Sequence, residues 1–166
     1  MAQIQPCPLP PDALLGRYAS QGFTDCYSLD VPEAVPFARF VEAFYRGGVF
    51  QIELTLIRLV FSKPSSGAMA GQLARGEIDA FSGWVVEDRA QDQLLMREVM
   101  GGNTRSWLMA EPHEGGTRLY FGSAVLPGRD KATGEARMSP LFAPLMGFHK
   151  AYSRVLLAGA LARLEI

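Results

Sequence analysis

Cysteine and histidine are scarce in this chain, with two of each among 166 residues. Cys7 and Cys26 are too few for a disulfide framework, and their spacing is not that of a metal knuckle. Both read as free thiols in a reducing cytoplasm, with a single bridge between them as the alternative. Excess charge is missing as well. A net charge of −1 with 20% charged residues leaves no basic field to hold a phosphate backbone, which argues against nucleic acid as a partner. No basic segment followed by an apolar run stands at the N-terminus, so no signal peptide is expected. The two most apolar stretches, 49–61 and 141–164, are interrupted by Glu53 and Arg58 and by His149, Lys150, Arg154 and Arg163. A membrane span needs roughly 20 nearly uncharged residues, so no transmembrane segment is expected and the chain reads as cytoplasmic. There is no Gly-rich phosphate loop, no paired His at metal-ligand spacing and no Gly-x-Ser-x-Gly elbow. No cofactor and no metal are therefore implied.

What is present is enough apolar content, 48% of residues, to fill the core of one domain spanning 1–166. Residues 1–22 carry Pro6, Pro8, Pro10 and Pro11 and read as a loose, extended or irregular arm, because proline fixes φ and lacks a donor. Residues 25–31 read as a first strand with Tyr27, Leu29 and Val31 on one face. Pro32 and Pro36 precede a helix whose apolar stripe is Phe37, Phe40, Val41 and Phe44. Gly47 and Gly48 can stop it. The stretch 49–61 alternates like a strand but is long for one, and length favours a helix. Ser65 or Ser66 can cap a short helix to about residue 75, closed by Gly76.

Four strands follow, at about 80–88, 93–100, 103–111 and 117–126. Their links, 89–92, 101–102 and 112–116, are too short for parallel crossovers, so the strands are expected to form sequential antiparallel hairpins. Residues 127–139 read as a loop. Pro140 and Pro144 introduce a last helix to about residue 164, with Leu141, Leu145, Phe148, Tyr152, Leu156 and Gly159 as its sheet-facing stripe. The expected fold is α+β: a curved antiparallel β-meander gripped by a long C-terminal helix, with two or three helices after the first strand.

This order of elements resembles the helix-grip fold of START-like and polyketide-cyclase-like proteins. Phe23-Thr24-Asp25 entering the first strand, Arg105-Ser106-Trp107-Leu108 in a middle strand and Gly147-Phe148-His149-Lys150 in the last helix also resemble a group of uncharacterised bacterial proteins placed near that superfamily. The helix-grip resemblance implies a sheet–helix cavity for apolar ligands and brings no catalytic motif. The five expected strands are fewer than the usual helix-grip sheet.

Trp84, Arg105, Trp107, Tyr120 and His149 are the candidate ligand-binding residues, with Arg105 reading an anionic head group. The bland alternative makes the aromatics ordinary core and Arg105 a surface or edge residue. His149, near the helix stripe, is a candidate acid–base group; the alternative is a core histidine with a backbone or Tyr partner. Glu53 is a candidate half-buried carboxylate if 49–61 is a helix, and points to solvent if it is a strand. Three functions compete. The leading one is binding of a hydrophobic or amphipathic small molecule. The others are a cyclase- or dehydratase-type enzyme using His149, and a homodimeric interaction domain using the outer sheet face.

Overall fold

The computed structural model describes residues 3–47, 66–99, 101–129, 133–134, 136–137 and 142–164, with backbone alone at 129, 136–137 and 142–151. Within these residues the chain is α+β. Seven strands form one open antiparallel sheet: β1 (Gln5–Pro6), β2 (Phe23–Val31), β3 (Ala80–Phe81), β4 (Trp84–Arg89), β5 (Gln93–Glu98), β6 (Thr104–His113) and β7 (Gly116–Val125). Their spatial order is β1-β2-β7-β6-β5-β4-β3. Strands β3 to β7 pair as sequential hairpins, as their short links require, and β2 returns to pair with β7 from Thr117 to Val125. A two-residue ladder, β8 (Gly128–Arg129) with β9 (Ala136–Arg137), stands where a plain loop is expected.

The helices are α1 (Phe37–Tyr45), α2 (Gly67–Ala74) and α3 (Phe142–Leu164). A five-residue 3-10 helix, Leu14–Tyr18, precedes β2. Ser66 caps α2 through its hydroxyl, which accepts from the Met69 N–H at 3.3 Å. Gly76 follows the helix at φ +73, the left-handed geometry that glycine adopts at no steric cost. The stretch 49–61 and Glu53 lie outside the described residues.

Two strands exceed the expected five. The expected strand 80–88 breaks at a tight turn in which Ser82 takes φ +55, giving β3 and β4. Hairpin β6–β7 is tighter than its sequence suggests. Glu114 and Gly115 alone make the turn, at φ +46 and +83, the two positive dihedrals that match the twist of the flanking strands. Pro112 sits inside β6, where a missing donor would normally break the ladder. Pairing with β5 ends at Gln93–Met109, so its nitrogen faces a side with no strand to bond.

Alternation gives the sheet two apolar faces. Towards the helices, Tyr27, Leu29, Val31, Leu94, Met96, Leu108, Leu119 and Phe121 pack with Phe40, Val41 and Phe44 of α1 and Leu157, Ala160 and Leu164 of α3. The described buried stripe of α3 is Ser153, Leu156, Leu157, Ala160 and Leu164, turned by one position from the expected Tyr152–Leu156–Gly159 line. Among the described elements α3 packs chiefly on α1 and reaches the sheet at β2 and β7, rather than crossing the whole meander.

The opposite face carries Cys26, Leu95, Trp107, Met109, Tyr120 and Ala124, and here the N-terminal arm lies down on the sheet. The expectation of a loose arm is thus corrected. Leu15 is fully buried against this face, with Cys7, Leu9, Leu14 and Tyr18 packed around it. Prolines deny the arm a long ladder, but the apolar sheet face still has to leave water, and side chains cover it without regular backbone pairing. The outer face invoked for a homodimer is occupied by the chain's own arm.

Candidate functional site

A groove of about 590 Å³ opens on the helix side of the sheet at its hairpin end. Its walls are Val35, Pro36 and Phe37 at the start of α1, Ala110 and Pro112 at the end of β6, and Gly116 and Thr117 at the start of β7; Gln91 and Asp92 form the rim. The link from β2 to α1 is fixed by Thr117. Its hydroxyl accepts the Val35 N–H at 2.8 Å and donates to the Glu33 carbonyl at 2.8 Å. The floor requires glycine at 116, since a Cβ there would stand 2.0 Å from the Val31 carbonyl oxygen and 3.0 Å from Pro32. The lining is mainly apolar, with Asp92 as an acid at the rim and no cationic residue among the described lining; Glu111 borders the groove from β6, but its carboxylate lies on the arm side. The Glu111 carboxylate accepts the Tyr120 hydroxyl at 2.5 Å. Burial first, and then this bond, push the Tyr120 phenol up from its ordinary pKa, so it stays neutral.

Of the five residues proposed from sequence as one cavity lining, the four with described side chains divide between the two faces of the sheet, and Trp107 packs against Tyr120 with ring centres 6.1 Å apart. Trp84 lies partly buried on the helix side, while Arg105, Trp107 and Tyr120 lie on the arm side. His149 belongs to α3 and its side chain is outside the described set. Trp107 is fully buried and donates its indole N–H to Gln93 Oε1 at 2.9 Å. The same oxygen accepts the Leu14 N–H at 2.9 Å, and Gln93 Nε2 donates to the Asp12 carbonyl at 3.1 Å. One buried amide thus ties the arm to the sheet and satisfies the indole.

Arg105 is equally engaged. Its Nε lies 2.8 Å from Glu87 Oε2, one of its terminal nitrogens donates to the Gly102 carbonyl, and its guanidinium stacks 4.8 Å from the centre of the Tyr18 ring. Tyr18 in turn bonds Glu87, and Arg17 bonds Asp88. Consecutive residues of a regular strand point to opposite faces, yet Glu87 and Asp88 both reach the arm. A β-bulge between Val86 and Asp88 makes this possible.

A second arm-side feature is the thiol pair. Cys7 Sγ and Cys26 Sγ stand 3.1 Å apart. The hydrogen bond to Cys26 brings Cys7 down to a pKa of about 7, helped by Ser28 and the positive Arg118 against partial burial. The same bond, then burial, drives Cys26 upward.

On the helix side, Asp25, Ser106 and Ser123 form one cross-strand polar row, with the Ser123 hydroxyl donating to Asp25 Oδ1 at 2.5 Å. Among the described residues no group of three or more His, Cys, Asp or Glu is placed to hold a metal, and no described helix is long and apolar enough to cross a membrane. The groove was missed as a site in the sequence, whereas the two cysteines were read as free thiols with one bridge between them as the alternative. No protein-family model, no curated protein and no solved structure matches this chain.

Proposed function

We propose that this is a helix-grip-like binding module for a hydrophobic or amphipathic small molecule, seated between sheet and helix in the groove at the first turn of α1. The observation that carries the reading is the groove itself. Its volume of about 590 Å³ falls in the range of small-molecule sites, roughly 300–1,000 Å³, which are mostly apolar with a few polar groups that orient the ligand. Val35, Phe37, Ala110 and Pro112 offer the apolar wall, and Asp92 the polar rim. Arg105 is held in the arm's network, so an anionic head group has no partner there. An acidic rim suits a ligand whose polar end is a hydrogen-bond donor or a cation. The His149 and Glu53 side chains fall outside the described set and enter no step.

The test is titration with the neutral apolar dye N-phenyl-1-naphthylamine, read by fluorescence. Ala34 is exposed at the groove rim, so Ala34→Trp fills the groove at little cost to the fold. The expected result is single-site binding by the parent protein and about tenfold weaker binding by the variant, equivalent to about 1.4 kcal/mol, with unchanged thermal stability. Equal dye affinity in parent and variant would place any ligand site elsewhere.

A further inference from the structure

Cys7 and Cys26 are brought together by the sheet, not by chance proximity of mobile thiols. Strand β1 pairs Gln5 with Ser28 and Pro6 with Tyr27. One step further along this register Cys7 faces Cys26, and the Cys7 N–H donates to the Cys26 carbonyl at 3.0 Å. Directly opposed residues of a hydrogen-bonded antiparallel pair have Cα atoms about 5.5 Å apart, inside the roughly 4.4–6.8 Å that a disulfide spans. Both side chains belong to the arm-side cluster, and their sulfurs are already 3.1 Å apart. The two thiols differ in access: Cys7 is half-buried, whereas Cys26 is 4% exposed.

We infer that Cys7 and Cys26 are a reversible disulfide site that locks the N-terminal arm onto the sheet, with Cys7 as the attacking thiol and Cys26 as the resolving one. The oxidant is a low-molecular-weight disulfide of the glutathione type. The Cys7 thiolate attacks one sulfur of the small molecule, forming a mixed disulfide and releasing one small thiolate. Cys26 then loses its proton and attacks the Cys7 sulfur, forming the internal bond and releasing the second small thiolate. Two protein thiols are oxidised, one small-molecule disulfide is reduced to two thiols, and the two protons end on those thiols. The lowered pKa of Cys7 puts much of it in the nucleophilic form near neutrality. The bond closes a loop that contains the 3-10 helix and Leu15, so oxidation fixes the cover over Trp107 and Tyr120.

The full chain is equilibrated in buffers of varied reduced and oxidised glutathione, quenched with acid, alkylated and read by intact mass and peptide mapping. The expected product is lighter by two hydrogens, carries a Cys7–Cys26 cross-linked peptide, and reverts with dithiothreitol. Its Tm is expected to rise by about 5–10 °C, the usual effect of closing a loop of this size in a chain of this length. A glutathione adduct that persists on the parent protein, a disulfide-linked dimer, or two free thiols in fully oxidising buffer would each overturn the inference. Cys26→Ser is expected to accumulate the adduct on Cys7, and folded Cys7→Ser to leave Cys26 unreacted. The reverse pattern would reject the assigned order of attack.

Discussion

Leu15 occupies the space that a methyl group on Gly122 would need. A Cβ at position 122 would lie 2.8 Å from Leu15 Cδ2, 3.0 Å from Trp107 Cε3 and 2.9 Å from the Asp25 carbonyl oxygen. The bare backbone of β7 is therefore the socket into which the arm's fully buried leucine fits. An arm that lay loosely on the sheet would place no such demand on a strand about a hundred residues away.

Gly122→Ala is expected to destabilise the fold by about 1–3 kcal/mol, the usual cost of overpacking a filled core. Denaturant unfolding measures it. The Leu15 methyl can move, whereas the Asp25 carbonyl is backbone and cannot. A Leu15→Ala change in the same chain should thus recover only part of the loss beyond its own cavity cost. Strict additivity of the two substitutions would show that the side chains do not meet.

Leu15→Ala by itself removes the most buried side chain of the arm. The expected cost is about 2–5 kcal/mol. Limited proteolysis offers the sharper reading, since cleavage within residues 8–22 should accelerate well before global unfolding. A variant as protease-resistant as its parent would mean that the arm is held by its polar contacts alone.

Gln93→Leu probes those polar contacts. The substitution keeps a side chain of similar bulk but strips the acceptor from the Trp107 indole and from the Leu14 N–H. Leaving a buried donor unsatisfied costs about 1–3 kcal/mol, and Trp107 is fully buried. Loss of stability should come with a changed tryptophan emission, which a surface effect would not produce. An unchanged midpoint would mean that another acceptor takes over.

The strand rhythm was legible because each hairpin is local. Residues 93–98 and 104–113 are short apolar-rich runs bounded by turn residues, and the short links between them leave antiparallel pairing as the only connection. The buried face of α1 was legible for the same reason, with Phe40, Val41 and Phe44 within one stripe. The site was not legible, because its members are joined by register across the sheet. Trp84 and Trp107 both sit in strands of mixed polarity, and only the pairing of Leu95 with Trp107, against Val86 with Met96, decides that they face opposite ways. The bulge at Glu87 and Asp88 breaks the period of two on which such assignments rest. The arm escaped for a different reason. Its partners, Gln93 and Trp107, are some 80 residues or more away, and four prolines marked what the backbone cannot do without showing what Leu9, Leu14 and Leu15 cover.

The last prediction concerns acid. The Arg17 guanidinium, and then the Arg89 N–H, hold the Asp88 carboxyl below its ordinary pKa. A carboxylate whose pKa is lower in the folded than in the unfolded chain favours the fold wherever it is ionised in both states. Its contribution is present above the unfolded pKa and disappears as pH falls through the folded one. Asp88→Asn should therefore lower stability slightly near neutrality and leave parent and variant alike in strong acid. The pair is open to solvent, with Arg17 and Asp88 side chains 43% and 38% exposed, so screening limits the neutral-pH difference to at most about 1 kcal/mol. Because Arg17 belongs to the 3-10 helix and Asp88 to the bulge of β4, the same acid limb should show in proteolysis of the arm. Denaturation midpoints of parent and variant across the acid range decide the matter: two curves separated by a constant gap down to strong acid would mean that Asp88 acts by packing and not by charge.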